Sequence, residues 1–171
     1  MAETRVACLL ADGFEDSEFR VPYDTLKQAG IGVDIISGSA GQQLRGERGK
    51  EHVKADVSID QVKPESYQAL LIPGGFSPDR LRADGRFVEF VKKFDSLGRP
   101  VAAVCHGPQL LMAARLVKGR TLTAWKTVRE DLELAGVRTK DEPVVRDGNW
   151  ITSRQPSDLP AFSEALLRTL Q

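Results

Sequence analysis

Residues 100 to 111 constrain the fold of this chain more than any other stretch. They read Pro100-Val101-Ala102-Ala103-Val104-Cys105-His106-Gly107-Pro108-Gln109-Leu110-Leu111. A short apolar run rich in β-branched residues stops at Cys105. A Gly-Pro pair follows at once, and then a helical pattern of apolar residues through Leu110, Leu111, Ala114 and Leu116. Strand, sharp turn and helix in that order form the setting of a nucleophile elbow, which raises one side chain above the end of a sheet. Here the raised group is a thiol with an imidazole beside it. A helix starting near Gly107 or Pro108 points free N–H groups and its positive dipole end at the turn, and proline suits that first position. Such a site is expected to stabilise a thiolate and lower the cysteine's pKa. The local pattern also suits an inert thiol closing a core strand, since free cysteine packs as a small hydrophobe.

Similar units recur along the chain. Strands are predicted over Val6–Leu10, Val33–Ile36, Ala69–Ile72 and Val101–Val104, and helices over Asp16–Ala29, Arg86–Leu97, Pro108–Val117 and Asp158–Leu170. Gly30 and Gly98 stand where helix-ending glycines belong. Alternating strands and helices imply an α/β fold with a mainly parallel sheet covered on both faces. At 171 residues, one domain over 1–171 is expected. Two insertions decorate the plan. One, rich in glycine and charge, covers residues 38 to 60, and the other covers residues 142 to 153, where Asp147-Gly148 signals a hairpin.

Composition excludes several classes of function. With 24 acidic and 24 basic residues, net charge gives no reason to expect specific nucleic-acid binding or an anionic membrane surface. No apolar run reaches membrane-spanning length. Met1-Ala2-Glu3-Thr4-Arg5 lacks the basic and apolar regions of a signal peptide, and two cysteines do not form a disulfide framework; a cytoplasmic setting is expected. Cys8, inside the run Val6 to Leu10, is expected to be an inert core thiol. His52 is the only other histidine, and with no Cys-x-x-Cys pair no metal site is expected.

Polar residues gather at strand ends, where ligands bind in a sheet of this kind. The first strand runs into Ala11-Asp12-Gly13-Phe14-Glu15-Asp16-Ser17-Glu18, the third into Pro73-Gly74-Gly75-Phe76-Ser77-Pro78-Asp79, and the fourth into Cys105-His106-Gly107. Acids at a helix start commonly cap it and complement its dipole, and here they would repel a phosphate. Gly74-Gly75 reads as a turn, or as backbone able to approach an oxyanion together with the His106 amide.

These three segments, in order and each at a strand end, resemble the ThiJ/PfpI superfamily, with the closer similarity to its PfpI branch of cysteine peptidase-like and deglycase-like stress proteins. The likeness extends to Ser153-Arg154-Gln155-Pro156-Ser157-Asp158-Leu159. It implies a flavodoxin-like three-layer sandwich, a cofactor-free cysteine enzyme, and a homo-oligomer, dimeric or larger. Cys105 would be the nucleophile, His106 its partner, and Glu15 the glutamate that hydrogen-bonds the sulfur. Asp79 matches an acidic position that orients a neighbouring subunit's histidine, although peptidase members usually carry glutamate there. Gly74, Gly75, Trp125 and Arg154 would bind the oxyanion or substrate; Trp125 replaces a frequent tyrosine. The implied chemistry is hydrolysis of reactive aldehydes or their early glycation adducts. An intracellular cysteine peptidase and a non-catalytic sensor of oxidative stress remain alternatives, because all three need an activated thiol.

Overall fold

The computed structural model describes residues 3–171; Met1 and Ala2, on which the reading of the amino terminus partly rests, lie outside the described residues. The chain opens with β1 (Arg5–Leu9), α1 (Asp16–Gln28) and β2 (Gly32–Ser37). Short strands β3 (Gln43–Arg45), β4 (His52–Lys54) and β5 (Val57–Ser58) follow, then β6 (Ala69–Ile72), α2 (Ser77–Arg82) and α3 (Gly85–Ser96). The second half contains β7 (Val101–Val104), α4 (Pro108–Ala113), β8 (Thr121–Leu122), α5 (Lys126–Leu134) and β9 (Arg138–Thr139). It closes with β10 (Val145–Asp147), β11 (Trp150–Ser153) and α6 (Leu159–Thr169).

Seven strands form one sheet in the order β10-β11-β7-β6-β1-β2-β5. All neighbours are parallel except β10, which runs antiparallel to β11. From β1 the chain first builds outward to β2 and β5, then returns to add β6 and β7 on the other side. The order reverses between β1 and β6, and at such a switch point the loops leaving the strand ends part to form a crevice.

Alternation along the strands divides the core into two layers. Ala7 and Leu9 of β1 face one layer with Phe90, Val91 and Phe94 of α3 and Leu110 and Leu111 of α4. Val6 and Cys8 face the other, with Phe19 and Leu26 of α1 and Phe162 and Leu166 of α6. β6 and β7 are buried on both faces, which is why they read as unbroken apolar runs rather than alternating ones. No helix among the described residues is long and apolar enough to cross a membrane.

The structure departs from the expected elements in three places. The helix predicted over Pro108–Val117 stops at Ala113, because Arg115 takes a left-handed conformation (φ 61°) and turns the chain. Residues 150 to 153 are a strand of the main sheet, paired in parallel with β7, rather than part of a decoration. The hairpin leading into it pairs Asp147 with Trp150, so its two-residue loop is Gly148-Asn149, with Gly148 at φ 57°. Residues 38 to 60 do carry a hairpin, β3–β4, outside the main sheet. Its loop folds back over the start of α1.

Cys8 is fully buried in β1, and burial pushes its thiol up. Cys8→Ser puts a hydroxyl where no water reaches. It is expected to lower unfolding free energy by about 1–3 kcal/mol in urea denaturation while leaving the folded circular dichroism spectrum unchanged.

Candidate active site

The elbow is formed by backbone geometry at Cys105. This residue adopts φ 63°, a conformation that non-glycine residues rarely take and that must be held by its surroundings. Two contacts hold it. The Cys105 N–H donates to the carbonyl of Ser153 at the end of β11 (2.9 Å), and its carbonyl accepts from the Trp125 N–H (3.0 Å). β11 therefore acts as a splint for the elbow.

The thiol has two titratable neighbours. His106 Nδ1 lies 3.4 Å from Sγ. Burial lowers the pKa of His106, so the ring is neutral at pH 7 and able to accept a proton. The second neighbour is Glu18, one turn into α1 and fully buried. Its Oε1 accepts from the Gly74 N–H (2.9 Å), Oε2 is buried with no hydrogen-bond partner, and the carboxyl lies against the Cys105 thiol.

The sulfur contact expected of Glu15 therefore belongs to Glu18. Glu15 is the N-cap of α1: its Oε2 accepts from the Glu18 N–H (2.9 Å) and from the Ser17 hydroxyl (2.5 Å). Its Oε1 pairs with Arg48 at 3.2 Å. Capping turns the Glu15 carboxylate toward its own helix and the cleft mouth. Glu18, three residues further on, projects from the buried face of the same turn. That spacing is the signal in the sequence for Glu18, and it was hidden among four acids in eight residues.

Two glycines make the contact possible. A Cβ on Gly74 would fall inside contact distance of the Glu18 carboxylate and against Cys105 Cβ. A Cβ on Gly75 would run into the backbone of residues 13 to 15, and its φ of 76° is one that glycine adopts readily. The Gly75 N–H has no oxygen partner among the described residues.

The electrostatics follow from this burial. Desolvation, aided by the nearby charge of Glu15, pushes Glu18 up to about 8, so the carboxyl is protonated at neutral pH. Burial also pushes the Cys105 thiol up, and negative charge on Glu18 would push it further; the N–H of His106 pulls it down. The lowered thiol pKa expected from the helix start is therefore not found: burial holds the Cys105 thiol above its ordinary range. The two groups are coupled, and only one of them can carry negative charge at a time, because two negative charges cannot share this pocket.

Above these groups lies a cleft of about 470 Å³, with Glu18, Cys105, His106 and Gly75 among its lining residues. Glu15, Glu47 and Arg48 line it from the first loop and the β3–β4 loop, and Phe76, Asp79, Gln109, Trp125 and Pro156 complete it. The β3–β4 loop is fastened by Asp16, whose carboxylate accepts the N–H groups of Arg48 (2.8 Å), Lys50 (2.9 Å) and Glu51 (2.8 Å). The first-turn acids thus position a loop as well as capping a helix.

Other expected residues fall as follows. Asp79 lines the cleft with an exposed carboxylate that pairs with Arg82 at 2.6 Å. Arg154 does not reach the cleft wall, because its guanidinium is taken by Asp158 (2.9 Å) and Asp141 (2.8 Å). Gly74 is engaged by Glu18, which leaves Gly75 as the glycine of the pair that lines the cleft. His52 is exposed on β4. No group of three or more metal-binding side chains occurs among the described residues.

Comparison with known proteins agrees with this fold. The model of the DJ-1/PfpI family matches residues 4–169. Protein/nucleic acid deglycase 2 of Escherichia coli (strain K12) is 48% identical over 167 residues, covering 97% of each chain. DJ-1 of Schizosaccharomyces pombe superposes with a TM-score of 0.88 at 25% identity, over 98% of this chain and 92% of that one. A two-domain protein of Anabaena variabilis with DJ-1/ThiJ/PfpI-like and ferritin-like domains superposes with a TM-score of 0.96 at 38% identity. The match covers 98% of this chain and 48% of that one, so the chain spans about half the length of that structure.

The raised pKa of Glu18 predicts a pH dependence of stability. Its folded value lies above the ordinary 4.5, so the folded state holds a proton that the unfolded state releases. Stability from this group is fully present below about 4.5 and is lost as pH rises through about 8. Glu18→Gln removes that loss. Relative to wild type, the variant is expected to gain on the order of a few kcal/mol in denaturant midpoint analysis at pH 9, and much less at pH 4. An equal effect at both pH values would show that Glu18 does not titrate with folding.

Proposed function

The chain belongs to the DJ-1/PfpI family, and on that premise we propose that it is a cytoplasmic hydrolase that uses Cys105 to detoxify reactive aldehydes or their early adducts. The observation that carries this reading is the thiol itself, raised on a strained elbow into a cleft with a neutral histidine on one side and a protonated carboxyl on the other. Similarity to the Escherichia coli deglycase, 48% identical over 97% of each chain, supports the substrate class. A cleft of about 470 Å³ has the scale of a small-molecule site, which favours this chemistry over cleavage of an extended peptide.

The proposed reaction runs through residues already described. His106 Nδ1 takes the thiol proton, and Glu18 donates its hydrogen bond to the thiolate. Sulfur adds to the aldehyde carbon, and the resulting oxyanion lies toward the N–H groups of Gly75 and His106. The C–H proton of the hemithioacetal moves to the adjacent carbonyl carbon by way of an enediol, leaving a thioester. Water then cleaves the thioester, releases a hydroxy acid and restores the thiol. For a dicarbonyl the balance is one aldehyde plus one water to one hydroxy acid, with no external oxidant. No step requires a cofactor. A histidine-orienting role for Asp79 would need a second chain in a homo-oligomer, because within one chain Asp79 is held by Arg82.

Lactate release from methylglyoxal tests the proposal. Wild type and Cys8→Ser are expected to turn over alike. Cys105→Ser should lose at least about a hundredfold, the scale on which removal of a nucleophile acts. Release of peptide fragments but no lactate would favour the peptidase reading, and conversion of Cys105 to a sulfinic acid by peroxide with no turnover would favour the sensor.

A further inference from the structure

Cys105 holds a backbone conformation that it would leave if its surroundings let go, so whatever fixes its two backbone partners also fixes the thiol. Those partners belong to different segments. Ser153, whose carbonyl accepts the Cys105 N–H, closes β11, and Trp125, whose N–H donates to the Cys105 carbonyl, precedes α5. On the sheet side the two segments meet through one buried hydrogen bond, from the Thr123 N–H to Thr152 Oγ1 (3.0 Å). At the surface they are joined by charge.

Arg154 follows Ser153 directly. Its guanidinium is held by the buried Asp158 at 2.9 Å and reaches Asp141 Oδ1 at 2.8 Å. The same oxygen lies 3.4 Å from Arg129 Nη1, and that nitrogen donates to the carbonyl of Ala124, the residue before Trp125 (2.9 Å). Asp141 therefore stands between a cation fixed to one backbone partner of Cys105 and a cation fixed to the other. The Ser153 hydroxyl donates to the Pro143 carbonyl (2.6 Å), which ties the chain just after Asp141 to the same strand end. Arg129 and Arg154 keep only 16% and 19% of their side-chain surface exposed, against 68% for Asp141. Two guanidiniums that converge on one carboxylate oxygen repel each other once it is removed, and the repulsion drives apart the segments that carry them.

We infer that Asp141 is a positioning residue for Cys105: with Arg129 and Arg154 it forms a bridge that keeps the Trp125 N–H and the Ser153 carbonyl in place, and so keeps the thiol aimed at His106 and Glu18. Arg129, Asp141 and Arg154 all lie outside the cleft lining, so they act through the backbone and not on a substrate. With the bridge open, Cys105 relaxes from its positive φ and Sγ moves away from His106 Nδ1, now 3.4 Å distant. The inference goes beyond the aldehyde reading, because it concerns the placement of the thiol whatever the thiol attacks. It also gives Arg154 a part in the site from a place where it cannot touch the cleft.

Amide hydrogen exchange, read residue by residue by nuclear magnetic resonance, tests this without reference to turnover. In Asp141→Ala the N–H groups of Cys105 and Trp125 are expected to exchange about fivefold faster, the scale on which a surface ion-pair network acts, while the Cys8 N–H inside the sheet changes by less than about twofold. Glu164→Ala, which breaks a comparably exposed pair with Arg168, should leave all three rates as they are. Arg129→Met attacks the bridge from its other end and should loosen the same two N–H groups, and adding Asp141→Ala to it should loosen them no further. In lactate release from methylglyoxal, kcat of Asp141→Ala should fall by a similar factor, with KM within about twofold of wild type. Unchanged exchange at Cys105 and Trp125 in both single variants, equal acceleration throughout the sheet, additive effects of the two substitutions, or an unchanged kcat after both N–H groups have loosened overturns the inference. Failure of the aldehyde reading would appear differently, as no lactate release from wild type with the two N–H groups still loosened in Asp141→Ala.

Discussion

The site depends on one close approach, that of the Glu18 carboxyl to the Cys105 thiol beneath the Gly74 backbone. A carboxyl fully out of water strongly disfavours ionisation, and the Cys105 thiol and the Gly74 N–H offset only part of the cost. The group therefore keeps its proton at neutral pH, and a protonated carboxyl can donate where a carboxylate can only repel. In the proposed reaction the carboxyl assists the sulfur because it is poorly solvated. Ketosteroid isomerase provides the general precedent of a carboxylic acid kept neutral by an apolar site so that it can act as a donor.

The rest of the architecture holds that approach in place. The sheet reverses its order between β1 and β6, which brings the loops after β1, β6 and β7 to one crevice. α1 carries Glu18 into it, the Gly74-Gly75 turn leaves room for the carboxyl, and β7 delivers Cys105. β11 pairs with β7 through four residues and accepts the Cys105 N–H at its end, so the strained φ of Cys105 is held by the sheet itself. Asp16 fastens the β3–β4 loop and so places Arg48 and Glu47 at the mouth. Few residues in this assembly act alone, and most of those around the thiol are there to fix a neighbour.

Much of this is legible in the sequence. β7 and its turn announced themselves through β-branched residues stopping at Cys105 and Gly107-Pro108, because those residue types limit the backbone directly. What failed to show has physical reasons. β11 is buried throughout, so Trp150-Ile151-Thr152-Ser153 lacks the alternation that marks a strand with one wet face. α2 and α5 are short and polar on one side, close to the length at which a helix leaves little periodic trace. Choosing Glu18 over Glu15 required knowing which carboxyl the cap would use, and a capping hydrogen bond is a choice of side-chain rotamer. Arg48, Glu47 and the exposed face of Phe76 lie at the site through loop docking, a tertiary arrangement that spacing along the chain does not encode. Arg154 illustrates the converse, since a residue near the site in sequence is diverted by a carboxylate four positions on.

Assistance to the thiol requires Glu18 to be a carboxylic acid at neutral pH. Infrared difference spectroscopy, wild type minus Glu18→Gln, measures this directly through the carbonyl stretch that only a protonated carboxyl shows. The predicted result is a single buried carboxylic-acid band at pH 6 that persists at pH 7 and fades with a midpoint near 8, the value to which burial raises this group. A difference spectrum showing only carboxylate bands at pH 6 would contradict it, and the thiol would then have to be activated without a proton from Glu18.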